Sequence, residues 1–233
     1  MMHDREPAFA ELLAGIEQQG AALKAIGGAP PPQPRWNQDW FPRLDAAATY
    51  TLVRREKPGL IVEVGSGHST RFLARAVADG KLATRIVAID PAPRAVIAGL
   101  AVTFVAAPSH EADPAIFAGL RRGDMLFVDS SHILMPGSDV DHLLGRVIPV
   151  LPSGVLLHVH DIFLPDDYPA AWDWRGYNEQ QGLLGLLQGG AWRIEFASRY
   201  VTTRMAPLLK GSVLAELPLM DNAFETSLWL RKI

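Results

Sequence analysis

Ile61-Val62-Glu63-Val64-Gly65-Ser66-Gly67-His68-Ser69-Thr70 is the stretch that decides the fold. A short apolar run, Gly59 to Val64, ends in Gly-x-Gly and passes at once into a helical pattern over Ser69 to Ala78. A continuous apolar run of that length reads as a strand buried on both faces. Glycine lets the backbone turn tightly and approach a ligand closely. A ligand at the carboxyl end of such a strand would face a helix N-terminus. Gly-x-Gly alone is a weak sign, so the surrounding chain has to support it.

Downstream, strand and helix patterns alternate. Arg85 to Asp90, Val102 to Ala106, Met125 to Asp129 and Val155 to Asp161 read as strands. Asp113-Pro114 opens a helix as N-cap and first residue. Ser138-x-x-Asp141 is a capping-box variant before an apolar-periodic segment, Leu143 to Leu151. Asn178 to Leu187 is helical, and Trp192 to Tyr200 and Thr226 to Arg231 close the chain as strands. The segment 202–224 reads as a long excursion between those two. Strands separated by helices imply an α/β fold, a doubly wound and mainly parallel sheet covered on both faces.

Upstream, Phe9, Leu12, Leu13, Ile16, Leu23 and Ile26 recur at helical spacing until Gly27-Gly28. A stiff proline connector, residues 30–34, and an aromatic segment, Trp36 to Phe41, follow. We divide the chain into an N-terminal arm, 1–45, and a Rossmann-like domain, 46–233. The arm packs on the body or on a partner subunit, or serves as a lid; its amphipathic helix points to self-association.

A chain of 233 residues suits one large α/β domain. Net charge −3 leaves no electrostatic footprint for nucleic acid. Absence of cysteine excludes disulfides, thiolate metal sites and a cysteine nucleophile, and is compatible with a cytoplasmic location. The N-terminus reads poorly as a signal peptide, and no run approaches the ~18–20 apolar residues of a membrane span, so no membrane partner is expected.

Asp90 ends the strand after the glycine loop, where an acid can accept hydrogen bonds from both ribose hydroxyls. NAD and S-adenosylmethionine would both satisfy that. Two residues separate them. Thr70 stands where the dinucleotide fingerprint has its third glycine, and Glu63 precedes the loop, which suits a cationic amino-acid tail better than a pyrophosphate.

Glu63-Val64-Gly65-Ser66-Gly67 resembles motif I of the Rossmann-like (class I) S-adenosylmethionine-dependent methyltransferases, and Asp90 resembles their ribose-binding acid. Phe127 to His132 and Gly154 to Asp161 are similar to their fourth and fifth strand ends. The resemblance covers roughly residues 45–200 and is nearest the macrocin O-methyltransferase and cephalosporin hydroxylase-like group. It implies a seven-stranded sheet with the last strand antiparallel. It also implies cofactor contacts from Glu63, Gly65, Ser66, Gly67, Ser69, Asp90 and Asp129. The acid that often binds adenine after the third strand has no counterpart in Ala107-Pro108-Ser109-His110.

Ligands of open α/β sheets bind at strand carboxyl ends, which selects Asp90, Asp129 and Asp161. The resemblance makes the last two neighbours. Transfer to oxygen requires a base, and His160, Asp161, Asp129 and His132 are the catalytic candidates. Asp129 and Asp161 with an oxygen such as that of Asn178 would suit Mg²⁺; adding His132 or His160 shifts the preference to a transition metal. His158 reads as a core residue, His68 as a helix start, and Asp139 and Asp141 as helix caps. The loop Asp166-Asp167-Tyr168 is expected to shape an acceptor pocket, Tyr177-Asn178-Glu179-Gln180 to open a helix that faces the site, and Trp172 and Trp174 to line that pocket or pack in the core. The expected activity is methyl transfer to a small-molecule hydroxyl. An NAD-dependent oxidoreductase and a non-catalytic nucleoside-binding module are the alternatives.

Overall fold

The computed structural model describes all residues, 1–233. Seven strands form one sheet: β1 (Leu60–Val64), β2 (Arg85–Ile89), β3 (Thr103–Val105), β4 (Met125–Val128), β5 (Leu156–Val159), β6 (Trp192–Ala197) and β7 (Leu228–Lys232). Their order is β3-β2-β1-β4-β5-β7-β6. The first five run parallel, and β7 is antiparallel to both β5 and β6. The expected seven-stranded Rossmann-like sheet is what the chain adopts. Every residue of β1, β4 and β5 is buried, as parallel strands covered on both faces must be. Strand order reverses between β1 and β4, which opens a crevice at their carboxyl ends.

Nine α-helical segments pack around the sheet: α1 (Glu6–Gln18), α2 (Gly20–Lys24), α3 (Arg43–Glu56), α4 (His68–Gly80), α5 (Pro114–Ala118), α6 (Asp139–His142), α7 (Glu179–Gln188), α8 (Ser198–Arg204) and α9 (Val213–Glu216). Local chemistry starts several of them. Asp113 accepts from the Ala115 N–H ahead of α5, at 2.9 Å, and Ser138 accepts from the Asp141 N–H at 3.1 Å. Past α6 the backbone widens into a π turn, Leu143–Val147, then tightens into a 3₁₀ turn at Pro149.

Two boundaries differ from the expectation. The strand predicted over Trp192 to Tyr200 ends at Ala197, whose ladder partner is Leu228, the first residue of β7. One further bond follows, Ser198 N–H to the Ser227 carbonyl at 2.9 Å; then no partner strand remains and the chain coils into α8. The 202–224 excursion contains the end of α8, a 3₁₀ turn and α9. The division after residue 45 falls inside α3, and the arm shares the main core: Phe9, Leu12, Ile16, Leu23, Trp36 and Phe41 are all buried there. Phe9 meets Phe196 and Tyr200 edge-on, and Trp36 lies 5.0 Å from Phe72. No helix is long and apolar enough to cross a membrane.

Candidate active site

The glycine loop is held from below. Gly65 has φ +82, donates its N–H to the Ile89 carbonyl, and lies against the backbone leaving β4. A Cβ there would overlap the Asp129 carbonyl oxygen and stand 2.6 Å from its carbon. The close approach is therefore between two protein backbones. A Cβ on Gly67 would meet only Ala95, at 3.7 Å.

Glu63 lies beneath this loop, fully buried. It accepts from Ser69 Oγ at 2.7 Å and from Thr70 Oγ1 at 2.6 Å. Thr70 Oγ1 in turn accepts from the Gly67 N–H at 2.9 Å, capping α4. Glu63 and Ser69 thus stand behind the cleft wall, bonded to each other. Thr70, in the third-glycine position, is committed to the same network. Burial pushes the Glu63 carboxyl up to about 8, against the two hydroxyl bonds. A raised acid favours the folded state fully only below its ordinary value near 4.5, and that advantage drains away as pH climbs toward 8. Glu63→Gln keeps an oxygen for Thr70 and an N–H for Ser69. It is therefore expected to hold its stability from pH 5 to 8 while the native protein loses stability, as urea unfolding at stepped pH would read.

Asp90 stands across the loop. Its Oδ2 accepts from the Ser66 N–H (2.6 Å) and Ser66 Oγ (3.1 Å), and Oδ1 accepts from the Ala92 N–H (2.7 Å). Asp90, the glycine loop, Asp129, His132 and Asp161 line one cleft of about 440 Å³ at the sheet's carboxyl edge. Its far wall is Pro108, Ser109 and His110, with no acid among them.

The strand-end candidates converge. His132 and Asp161 both have left-handed backbones, φ 61 and φ 54, a conformation costly for non-glycine residues and concentrated at functional sites. Asp129 Oδ1 lies 3.5 Å from His132 Nε2 and 3.4 Å from His160 Nδ1. Asp161 lies 3.5 Å from the same two nitrogens, through Oδ2 and Oδ1 respectively. Each imidazole is held on its other side by a second carboxylate: His132 Nδ1 by Glu179 at 3.0 Å and His160 Nε2 by Asp45 at 3.2 Å. His160 is buried behind Asp129 and Asp161 and does not line the cleft.

Burial opposes charge on both rings, yet the surrounding acids win. Asp129, Glu179 and Asp161 raise His132 well above the ordinary histidine value; Asp129, Asp161 and Asp45 do so for His160. Burial likewise opposes an ionised Asp129, but His160 and His132 hold its carboxyl well below the usual carboxylate range.

Asp45 is an addition that sequence reasoning missed, whereas Glu179 belongs to the helix start 177–180 expected to face the site. Asp45, on α3, also accepts from the Thr226 and Ser227 N–H groups, at 2.9 Å each. Neither acid carries a local motif; only the packing of α3 and α7 against the strand ends brings them in. Asn178, a candidate oxygen donor, is bonded instead to the Leu134 backbone by both ends of its amide. His158 is a core residue, stacked 3.7 Å from Phe127 and bonded to Ser227 Oγ. His68 opens α4 and lines the cleft; burial, with Arg71 and Arg35 nearby, lowers it to about 4. From the first turn of α6, Asp139 accepts from the Ser131 N–H and hydroxyl, and Asp141 from the Gly137 N–H, both tying preceding loops to the helix start.

Phe163, Tyr168, Trp172, Tyr177 and Phe224 form an edge-to-face cluster beside the cleft, with Tyr177 4.7 Å from His132. Arg175 lies over Trp172 at 4.3 Å and reaches the cleft, whereas Trp174 is 79% exposed. An all-oxygen Mg²⁺ site does not fit this donor set: Asn178 is committed elsewhere, and both carboxylates face imidazole nitrogens. As they stand, no three of these groups close tightly enough to hold an ion.

Residues 62–162 match the family described as methyltransferase domain. No curated protein sequence matches. Among solved structures, the chain is similar to the S-adenosylhomocysteine-bound methyltransferase PaMTH1 of Podospora anserina. The identity is 17%, coverage is 100% of this chain and 95% of that one, and the TM-score is 0.52. It is also similar to the plantazolicin methyltransferase BpumL, in complex with S-adenosylhomocysteine, at 14% identity, 97% and 98% coverage and TM-score 0.51. At these identities the likeness is one of fold. The chain thus carries a methyltransferase-domain match over residues 62–162 and shares its fold with these methyltransferases.

Proposed function

We propose that the chain is a methyltransferase that moves a methyl group from S-adenosylmethionine to a hydroxyl oxygen of a small molecule. One observation carries the reading: the glycine loop, Asp90 and a base-bearing cluster at two strand ends open into the same cleft. S-adenosylmethionine, when bound, supplies a methyl carbon activated by its sulfonium. Asp90 keeps lone pairs toward the cleft for ribose hydroxyls, while Ser66 and Ala92 fix its orientation. Gly65, Ser66 and Gly67 present backbone along the cleft floor, and Glu63 and Ser69 serve by bracing them from beneath. Asp161, which lines the cleft, takes the acceptor's proton, and His132, held protonated by Asp129 and Glu179, orients that carboxylate from 3.5 Å. His160 acts through Asp129 and Asp161 as a positioning residue. The Tyr177 and Trp172 edge holds the acceptor's body, where fixed orientation supplies much of the rate.

Calorimetry with S-adenosylhomocysteine tests the cofactor. Binding is expected for the native chain and weakened roughly ten- to a hundredfold in Asp90→Ala, the scale of one or two lost charge-assisted hydrogen bonds. Heat from NAD⁺ with silence from S-adenosylhomocysteine would overturn the reading.

A further inference from the structure

We infer that the acceptor carries a carboxylate on an aromatic ring, and that Arg175 is the residue that selects for it. This rests on the proposed methyl transfer and names the class of molecule that receives the group. Arg175 ends the 3₁₀ turn Ala170–Arg175 and lines the cleft. Asp90, Asp129, Asp139 and Asp161 line the same cleft, yet Arg175 pairs with none of them. Its guanidinium makes one hydrogen bond within the chain, from Nη1 to the Tyr177 hydroxyl at 3.0 Å. Its Nε is buried without a partner. A buried unpaired donor is rare in folded proteins, and a charged one is costly to leave unmade. The Nε–Nη2 edge is one of the two that offer parallel donors to both oxygens of a carboxylate.

The group is nonetheless held in place. Arg175 lies over Trp172 at 4.3 Å, Trp174 at 5.0 Å and Tyr177 at 5.4 Å. Aromatic faces steady a guanidinium without neutralising it. Tyr177 in turn lies 4.7 Å from His132, whose Nε2 is 3.5 Å from Asp161 Oδ2. Tyr177 and His132 thus tie the unpaired cation to the carboxylate that takes the acceptor's proton. The other cations of the cleft are placed differently. His132 is committed to carboxylates, and Arg94 stands over Trp40 at 4.7 Å, on the segment that follows Asp90. Arg175 is the cation left to the acceptor. One such charge among four acids suits a monoanion; a phosphate dianion would bring a second negative charge against those acids. The Trp172 and Tyr177 rings beside it suit a flat aromatic body.

Calorimetry of the full chain, with and without saturating S-adenosylhomocysteine, tests this; the probes are the isomeric hydroxybenzoates and their matching amides. At least one hydroxybenzoate is expected to bind about 10- to 100-fold more tightly than its amide, the scale of a charge-assisted pair of hydrogen bonds. Arg175→Gln should abolish that preference and leave S-adenosylhomocysteine binding unchanged. Arg175→Lys, which keeps the charge and loses the fork, should retain only part of the preference. A native chain that binds no hydroxybenzoate, or binds acid and amide alike, overturns the inference. So does a preference intact in folded Arg175→Gln. A loss of S-adenosylhomocysteine affinity in that variant as large as its loss of hydroxybenzoate affinity also overturns it, and assigns Arg175 to the cofactor's own carboxylate. The acid-to-amide ratio of the native chain decides by itself if a variant fails to fold. Silence from S-adenosylhomocysteine with the acid preference intact would count against the proposed function alone.

Discussion

Gly65→Ala is expected to destabilise the chain by more than about 4 kcal/mol, enough to leave much of it unfolded in expression. Two costs combine. The residue sits at φ +82, which alanine adopts only with strain. The new Cβ would also overlap the Asp129 carbonyl oxygen. Neither side can yield easily, because Gly65 is tied to β2 through the Ile89 carbonyl and Asp129 is tied to β1 through the Val64 carbonyl. Gly185→Ala is the matched control. That glycine lies within α7 with nothing within 4 Å of an added methyl, so alanine should be neutral or stabilising by about 0.5–1 kcal/mol. Urea unfolding of both variants reads the contrast; equal stabilities would show that the backbone crossing is not as tight as described.

Asp45→Ala should cost about 3–5 kcal/mol, the scale of removing one partner from a buried charged pair. Asp45 is fully buried and holds three groups at once: the Thr226 and Ser227 N–H groups and His160 Nε2. Alanine leaves two buried N–H groups and an imidazole unsatisfied. Asp45→Asn, which keeps an acceptor oxygen in nearly the same place, should lose distinctly less. Denaturant unfolding orders the three proteins; an Asp45→Ala variant as stable as the native chain would mean that water or another side chain replaces the carboxylate. Because Asp45 joins α3, the entry to β7 and the imidazole behind Asp129, the same change should also disturb the cleft.

Much of the site was legible because strand-end chemistry is local. A buried strand, two glycines and a helix start are contiguous in 61–70, and Asp90, Asp129 and Asp161 each close a readable strand. Glu63 was legible as an unusual buried acid, but not as one facing away from the cleft. Its direction depends on Ser69 and Thr70 folding back over it, six and seven residues later. The end of β6 was illegible for a related reason: Trp192 to Tyr200 is strand-like throughout, and only the start of β7 at Leu228 stops the ladder at Ala197.

By itself, the sequence determined the alternation of strands and helices, the glycine turn and the acids at the strand ends. Each of these is dictated by residues within one turn or one strand of each other. Tertiary structure alone decided which acids meet which histidines. Asp45 and Glu179 come from helices far along the chain, 115 residues from His160 and 47 from His132 respectively, and carry no periodicity or motif of their own. They are placed by burial of the helices that bear them, and a buried acid with no local partner becomes interpretable only when the group it answers is seen beside it.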